Sequence, residues 1–326
     1  MCLKNKKPFG CAQLVYLRFA GLRKAGFKDM ESVNIKARDG YKLCLHIFEV
    51  ENPKGYVQVI HGMEEHQERY EPLAQRLNAA GYTVISSNMR GHGENAPVLG
   101  YFGEEKGYRH LLTDQTMITA YIRERFHTEK VIIFSHSMGT IITRNLLQSQ
   151  SQYYEKVILS GYPHNNPAAG FGIFLTEIMK KWKGGDYYSK LVQKLAIEVF
   201  NKKIPNRKTK LDWLSVNEEN IQAFEDDPYC GHGFRIGAFN DLFRLVNNMA
   251  KAENYRKVNK NLRILAIRGE EDPCTGGERG SKNSLATLRQ AGFIHIKEIS
   301  YEGMRHEILN EKNNEKVYED ILEFLG

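Results

Sequence analysis

The chain has few of the features that mark disulfide-rich, membrane-spanning or repetitive proteins. Its 326 residues include five cysteines, an odd number without short paired spacing, which argues against a disulfide framework or a zinc site. This usage favours a reducing compartment, so a cytoplasmic protein is expected. No segment approaches the ~18 consecutive apolar residues that span a bilayer, and no internal repeat is present. The composition, 41% hydrophobic, suffices for the core of a large α/β domain.

Acidic residues are absent from positions 1–28, and the whole net charge of +7 lies there. The remaining 39 basic residues balance the 39 acidic ones. The body of the protein therefore has no excess positive charge to neutralise phosphates, which argues against nucleic-acid binding. Large apolar side chains accompany the basic ones, which fits either peripheral contact with an anionic membrane or a helix packed on the domain. Arg18 and Arg23 interrupt the apolar run, which argues against a signal peptide.

The rest of the chain alternates strand patterns with helix patterns. Strands are predicted at residues 32–37, 41–50, 55–61, 82–87, 156–160, 263–268 and 294–299, with a further strand that begins at Val131. Helices are predicted at residues 70–80, 106–126, 281–291 and 313–324. This alternation predicts an α/β fold, with a mostly parallel, twisted sheet, helices on both faces and an antiparallel hairpin at one edge.

Roughly one hundred residues between 161 and 263 carry no strong strand pattern. Phe171, Phe174, Ile178 and Trp182 recur there at helical spacing as one apolar stripe. An amphipathic helix that covers core would show the same pattern. Ligand sites in open α/β sheets lie at the carboxyl ends of strands, so we predict that this segment forms a cap over that edge of the sheet. The stripe is expected to face either a nucleophile at that edge or the cap's own core, and to line a substrate pocket. The predicted domains are a basic N-terminal segment at 1–31, an α/β core at 32–161 and 239–326, and a mainly helical cap segment at 162–238.

A candidate nucleophile, Ser137, lies where a buried-strand pattern breaks into small residues. Ser135-His136-Ser137-Met138-Gly139 follows the strand and precedes a helical stretch. This layout is typical of a nucleophile elbow, which exposes the serine at the carboxyl end of a strand. The flanking residues must be small because strand and helix pack closely, which Ser135 and Gly139 satisfy. The pattern predicts a serine hydrolase.

Two later loops supply the partners that such a serine needs. In folds with this elbow, the acid and then the histidine follow the serine along the chain, each at the end of a strand. Asp272 follows the predicted strand 263–268, and His306 follows the strand 294–299. Glu270 and Glu271 are alternatives, but Asp272 directly precedes a proline and lies farther out on its loop. His306 would serve as the base and Asp272 as the group that orients it.

Two backbone amides are candidates for an oxyanion hole, the pair of donors that stabilises a tetrahedral intermediate. The first is the amide of Met138, directly after the nucleophile. The second is the amide of Met63, on the loop that follows the third strand, where Gly62 permits a sharp turn.

Several motifs occur in order and at compatible spacing from residue 32 to the end of the chain. They are His61-Gly62-Met63-Glu64-Glu65-His66 with Arg69-Tyr70, Arg90-Gly91-His92-Gly93, Ser135-His136-Ser137-Met138-Gly139, Trp213-Leu214-Ser215, Asp227-Pro228, Glu271-Asp272-Pro273 and Arg305-His306-Glu307. In these motifs the chain resembles the monoacylglycerol lipase and lysophospholipase branch of the α/β-hydrolases, with its serine aminopeptidase S33-type domain. It departs from that pattern at Ser135, where glycine is usual, at Asn88, where an acid is frequent, and at Val216-Asn217, where Arg-Asp is frequent.

The resemblance implies an α/β-hydrolase fold with a Ser137, Asp272 and His306 triad and with the amides of Met63 and Met138 as oxyanion donors. It implies no metal and no organic cofactor. The expected activity is hydrolysis of a carboxylic ester in a small acyl ester or a lipid such as a monoacylglycerol or lysophospholipid. A thioesterase or small-amide hydrolase would use the same triad. A silent scaffold that binds a ligand is a third hypothesis, against which the intact triad argues.

Overall fold

The computed structural model describes residues 30–326, so the segment predicted at 1–31 lies outside this range apart from its last two residues. A single sheet organises the described part of the chain. Its strands are β1 (Glu31–Lys36), β2 (Lys42–Phe48), β3 (Gly55–Ile60), β4 (Tyr82–Ser87), β5 (Val131–His136), β6 (Tyr154–Ser160), β7 (Arg263–Gly269) and β8 (His295–Tyr301).

The strands are ordered β1-β2-β4-β3-β5-β6-β7-β8 across the sheet. From β4 to β8 all neighbours pair in parallel, whereas β1 pairs antiparallel with β2 and β2 pairs antiparallel with β4. The turn between β1 and β2 is made at Gly40, whose φ of +85° suits glycine. The prediction of a mostly parallel sheet with an antiparallel edge is therefore confirmed.

Helices cover both faces of this sheet. They are α1 (Glu71–Ala79), α2 (Gly107–Arg125), α3 (Met138–Gln150), α4 (Ala169–Lys183), α5 (Lys190–Gln193), α6 (Val199–Asn201), α7 (Glu218–Asp226), α8 (Ile236–Met249), α9 (Gly277–Ala291) and α10 (Glu315–Leu325). Short 3-10 turns add Gln67–Tyr70, Ser151–Tyr153, Ala252–Asn254 and Ile308–Asn310, and one π turn, Lys194–Glu198, joins α5 to α6.

The side chains of β5 show why both faces are covered. Val131 and Ile133 belong to an apolar core that includes residues of α2, α3, α8 and α9. Ile132 and Phe134 point to the opposite core, which includes residues of α1 and α10. A strand that is apolar at every position is buried on both sides, as parallel strands between two helical layers require.

The cap segment, residues 162–238, contains α4, α5, α6, α7 and the first residues of α8. Its own small core includes Ile204, Trp213, Leu214 and Phe224, together with Cys274 from the loop after β7. The segment is thus seated on the loops at the carboxyl end of the sheet. Within residues 30–326, no helix has both the length and the apolarity that crossing a bilayer would require.

Candidate active site

Ser137 lies in a strained turn between β5 and α3. Its φ of 49° and ψ of −117° place a non-glycine residue in sparsely populated backbone space. The turn is held because the Ser137 amide donates to the carbonyl of Ser160 at 2.9 Å. Gly139 allows the crossing, since a Cβ there would lie 2.2 Å from the carbonyl oxygen of Ile60. The serine is consequently presented at the carboxyl edge of the sheet.

His306 and Asp272 reach this serine from the loops after β8 and β7. The distance from His306 Nε2 to Ser137 Oγ is 2.8 Å, and the distance from His306 Nδ1 to Asp272 Oδ2 is 2.9 Å. The second oxygen of Asp272 accepts a hydrogen bond from the Cys274 amide at 2.8 Å. Because Asp272 accepts the proton on Nδ1, Nε2 is left as the acceptor for the serine hydroxyl.

Burial by itself lowers the pKa of His306, but the Asp272 carboxylate more than offsets this and raises the pKa above its usual value. The neighbouring imidazole of His136 lies 4.7 Å from His306 between ring centroids. Burial and the proximity of His306 lower the pKa of His136 to about 4. His136 is therefore neutral at neutral pH and adds no charge beside the base. The indole of Trp213, from the cap segment, covers His306 at 4.9 Å.

The loop after β3 passes directly over the nucleophile. A Cβ added to Gly62 would lie 3.2 Å from the Cβ of Ser137 and only 2.5 Å from Glu65 Oε1, so glycine suits this close approach. Met63 is the next residue on this loop, so its backbone amide lies at the same edge of the sheet as Ser137. Met138 is the first residue of α3, and the first amides of a helix have no partner within the helix. Both candidate amides thus belong to segments that border Ser137.

Glu65 fixes this loop to the core. Its Oε1 accepts hydrogen bonds from the Gly62 amide and from the Tyr70 hydroxyl, the latter at 2.8 Å. Its Oε2 pairs with the Arg69 guanidinium at 2.8 Å. Arg69 also forms a bidentate pair with Glu307, the residue after His306, at 2.8 and 2.7 Å. A buried ion-pair network therefore connects the loop after β3 to the loop that carries the histidine.

The position of the apolar stripe corrects the prediction made from the sequence. The four side chains predicted to line a substrate pocket are exposed to solvent in the described structure. The exposed fractions are 66% for Phe171, 62% for Phe174, 43% for Ile178 and 83% for Trp182. These side chains are therefore not buried in the cap's own core, and that part of the expectation is wrong.

The physical reason is that α4 packs through its small residues. Gly172 approaches α8 so closely that a Cβ there would lie 2.7 Å from the ring of Phe243. One turn later, Thr176 accepts a hydrogen bond from the Asn240 amide at 2.9 Å. The face with small residues is buried against α8, so the large apolar residues point to solvent.

Two groups of side chains have the composition of a metal site. His66, Asp227 and Cys230 form one group, and Asp272, Cys274 and His306 form the other, each with ligand atoms within 4.8 Å of one another. His66 already binds Glu68 and Asp227 through its two ring nitrogens. Burial raises the pKa of both thiols, which disfavours the thiolate that a metal would need. The histidine and aspartate side chains of both groups have hydrogen-bond partners within the protein.

Comparison with known proteins identifies the family of the chain. The family model described as serine aminopeptidase, S33, matches residues 51–313. The chain belongs to this α/β-hydrolase family. It is 25% identical to a monoacylglycerol lipase from Mycolicibacterium smegmatis over 84% of this chain and 89% of that protein. It is 22% identical to the phospholipase YtpA of Bacillus subtilis over 83% of this chain and 95% of that protein.

Solved structures confirm the fold. A thermostable carboxyl esterase from Bacillus coagulans superposes with a TM-score of 0.85 at 24% identity, covering 91% of this chain and 98% of that one. A monoacylglycerol lipase from Paleococcus ferrophilus superposes with a TM-score of 0.64 at 19% identity, covering 91% and 98%. The α/β-hydrolase fold expected from the sequence is confirmed.

The residues at which the chain departs from the family pattern have structural partners. The buried Asn88 accepts a hydrogen bond from the Gln67 amide at 2.8 Å. Asn217 caps α7 by accepting from the Glu219 amide at 3.2 Å. Sequence reasoning gave no role to Glu65, although a charge within the motif after β3 was a usable signal.

Proposed function

We propose that the chain hydrolyses carboxylic esters through a covalent acyl-enzyme on Ser137. The observation that carries this proposal is the continuous line of hydrogen bonds from Asp272 through His306 to Ser137 on a strained turn. A strained nucleophile turn costs stability and persists where surrounding structure determines it. A silent scaffold would have no need of that arrangement.

In the proposed reaction, His306 Nε2 takes the hydroxyl proton as Ser137 Oγ bonds to the carbonyl carbon of the ester. The negative charge on the carbonyl oxygen is stabilised by the amides of Met63 and Met138. His306 then gives its proton to the leaving alcohol as the ester bond breaks. In the second half, His306 deprotonates a water molecule that attacks the acyl-enzyme, and Ser137 regains its proton as the acid departs.

We propose a monoacylglycerol, lysophospholipid or simple acyl ester as the substrate. Similarity to a monoacylglycerol lipase and to a phospholipase over more than four-fifths of this chain supports this class. Fold likeness alone does not fix a substrate. A panel of nitrophenyl esters from acetyl to palmitoyl, with a monoacylglycerol, a lysophospholipid, an acyl thioester and an anilide, compares the ester with the two alternative acyl bonds. Faster turnover of the thioester or anilide would replace the ester assignment.

The test of the nucleophile is labelling with a fluorophosphonate probe. We expect stoichiometric labelling of the wild-type chain and none of Ser137→Ala, with the same thermal midpoint for both. Ser151→Ala is a matched control, because that buried serine bonds the Lys257 carbonyl outside the site and should leave labelling intact. Labelling that persists in Ser137→Ala would contradict the proposal.

We also propose that residues 1–28 make peripheral contact with anionic membranes. Their seven basic residues carry the entire net charge, and a lipid ester is presented at a bilayer. The exposed stripe on α4 supports a membrane role, because a monomer rarely exposes a large apolar patch without a partner. Lys181 adjoins that stripe, three residues after Ile178 and on the same side of the helix.

Sedimentation with vesicles tests this contact. We expect the wild type to bind phosphatidylglycerol vesicles more tightly than phosphatidylcholine vesicles, with binding that weakens as salt screens the charges. Replacing the seven basic residues of 1–28 with Gln should reduce binding. Trp182→Ser should also reduce it, whereas Ile294→Ser, a change at an exposed residue before β8, should not. Equal sedimentation of all variants would contradict the membrane role. Turnover of a soluble ester reports whether each variant is folded.

A further inference from the structure

Glu64 is a buried acid directly after the proposed oxyanion donor Met63, and the proposed reaction gives it no part. It is 6% exposed, and its φ of +57° lies in the left-handed region that favours glycine. A side chain in this conformation costs free energy, and such strain is kept where neighbouring contacts determine it. The contacts of Glu64 therefore merit a functional explanation.

These contacts come from the cap segment. Gln193, the last residue of α5, donates from Nε2 to Glu64 Oε1 at 3.0 Å. The backbone of Gly233 also bonds the Glu64 carboxylate. The Gly231 amide donates to the Glu64 carbonyl at 2.9 Å. Both the main chain and the side chain of Glu64 are thus held by the cap segment.

The part of the cap segment that holds Glu64 is itself fixed. A Cβ on Gly233 would lie 2.4 Å from the ring of Tyr188, so this loop is packed against the chain before α5. Tyr188 and Arg235 form an antiparallel bridge. Gln193 accepts a hydrogen bond from the Phe234 amide at 3.4 Å, which joins the two holders of Glu64. The Glu64 carboxylate is therefore bound by groups of the cap segment that are themselves fixed by contacts with each other.

Glu65 holds the same loop from the opposite side. Its carboxylate bonds the Gly62 amide, Tyr70 and Arg69, all outside the cap segment. Met63 lies between Gly62, whose amide is held by Glu65, and Glu64, which is held by the cap segment. The direction of the Met63 N–H is accordingly set by two anchors, and loss of either allows the turn to relax.

We propose that Glu64 is a positioning residue that aligns the Met63 amide by tying the loop after β3 to the seated cap segment. This inference rests on the proposed ester hydrolysis, which assigns the Met63 amide to the oxyanion. Because the tie spans two parts of the chain, oxyanion stabilisation depends on the position of the cap segment. If Glu64 contacted the substrate instead, its loss would raise KM and leave kcat unchanged.

The test compares Glu64→Ala with Glu64→Gly on nitrophenyl acetate. Both lack the carboxylate, but only glycine relieves the φ of +57°. We expect both to lower kcat about 10-fold with little change in KM, a part of the 10²–10³-fold that loss of a whole oxyanion donor costs. Affinity for a trifluoromethyl ketone, which forms a tetrahedral adduct on serine, should fall by the same factor. Glu64→Gln keeps an acceptor and should retain most activity.

Gln193→Met removes the partner without touching the loop after β3, and Gln222→Met is its matched control on α7, where the side chain bonds Asp226 within the same helix. Gln193→Met should lower kcat, and its combination with Glu64→Ala should add nothing further, as expected for two residues that act together.

Unchanged kcat in both Glu64→Ala and Glu64→Gly would overturn the positioning role, and so would a rise in KM at constant kcat. A lowered thermal midpoint at unchanged kcat would assign Glu64 to stability alone. Wild-type turnover is measured in the same assay. Its absence would overturn the proposed function and this inference with it, whereas wild-type turnover with unaffected Glu64 variants overturns this inference alone.

Discussion

Asp272→Asn tests the candidate triad most directly, because the structure dictates how the asparagine must point. Asp272 Oδ1 accepts from the Cys274 amide at 2.8 Å and Oδ2 accepts from His306 at 2.9 Å. In the variant, the asparagine oxygen has to stay on the Cys274 amide, since an amino group there would set two donors against each other. The new NH₂ group then faces His306 Nδ1 and forces the ring proton onto Nε2.

In that tautomer, Nε2 can no longer accept the Ser137 proton. The expected loss is on the order of 10⁴-fold in kcat, as for a wrong-tautomer base in serine hydrolases, which corresponds to about 5.4 kcal/mol in the barrier. The assay is turnover of nitrophenyl butyrate, with circular dichroism to show that the fold is kept. Glu271→Gln is the matched control, because Glu271 is half exposed and pairs with Arg305 instead. Turnover near the wild-type rate in Asp272→Asn would refute the assignment and move the acid to another group.

Two further predictions concern charge. Asp272 raises the pKa of His306, and only the neutral ring can act as a base. The value of kcat/KM on a soluble ester should therefore fall as pH drops through a midpoint above 6.5. A pH profile with a midpoint below 6.5 would contradict this. Arg69→Met should cost about 3–5 kcal/mol at pH 7, because it leaves two buried carboxylates, Glu65 and Glu307, without their cation. Burial raises the pKa of Glu307, but Arg69 more than offsets this, so the pKa lies below its usual value. The wild type therefore keeps this contribution above about pH 4.3 and loses it as pH falls from there toward the lower pKa of the folded state. Urea unfolding at pH 7 and at about pH 3 should show the difference between the two chains shrinking, and an equal difference at both pH values would show that charge pairing does not explain the cost of the substitution.

The order of strands and helices could be predicted because the apolar patterns are local. The run that begins at Val131 is apolar at successive positions, as a strand buried on both faces must be, and β5 ends at His136 as its small flanking residues require. The turn at Gly40 carries its own signature, since a hairpin with positive φ favours glycine. Boundaries differ by a few residues, as at α9, which begins at Gly277 rather than at 281.

The site could be predicted in part for the same reason. Parallel strands bring the ends of β5, β7 and β8 to one edge, so order along the chain was enough to select Asp272 and His306. The roles of Glu64 and Glu65 could not be found in this way. The two are identical in type and adjacent, but a positive φ at Glu64 turns one toward the cap segment and leaves the other in the core. Only the folded backbone distinguishes them.

The failed prediction for α4 has a general cause. An apolar stripe indicates which face of a helix is buried when large residues provide the contact, but a helix can also pack through its small residues, which let two backbones approach closely. Ala169, Gly172 and Thr176 occupy that face here, and α8 lies against it. The pattern of hydrophobicity therefore indicated the wrong face of this helix as the buried one. Since the large side chains, with Trp182 the most exposed, are then left in water at a cost of about 25 cal/mol per Å² of apolar surface, a partner that covers them is favoured. The exposure that removes these residues from the cap's own core therefore favours the proposed contact of this face with a lipid surface.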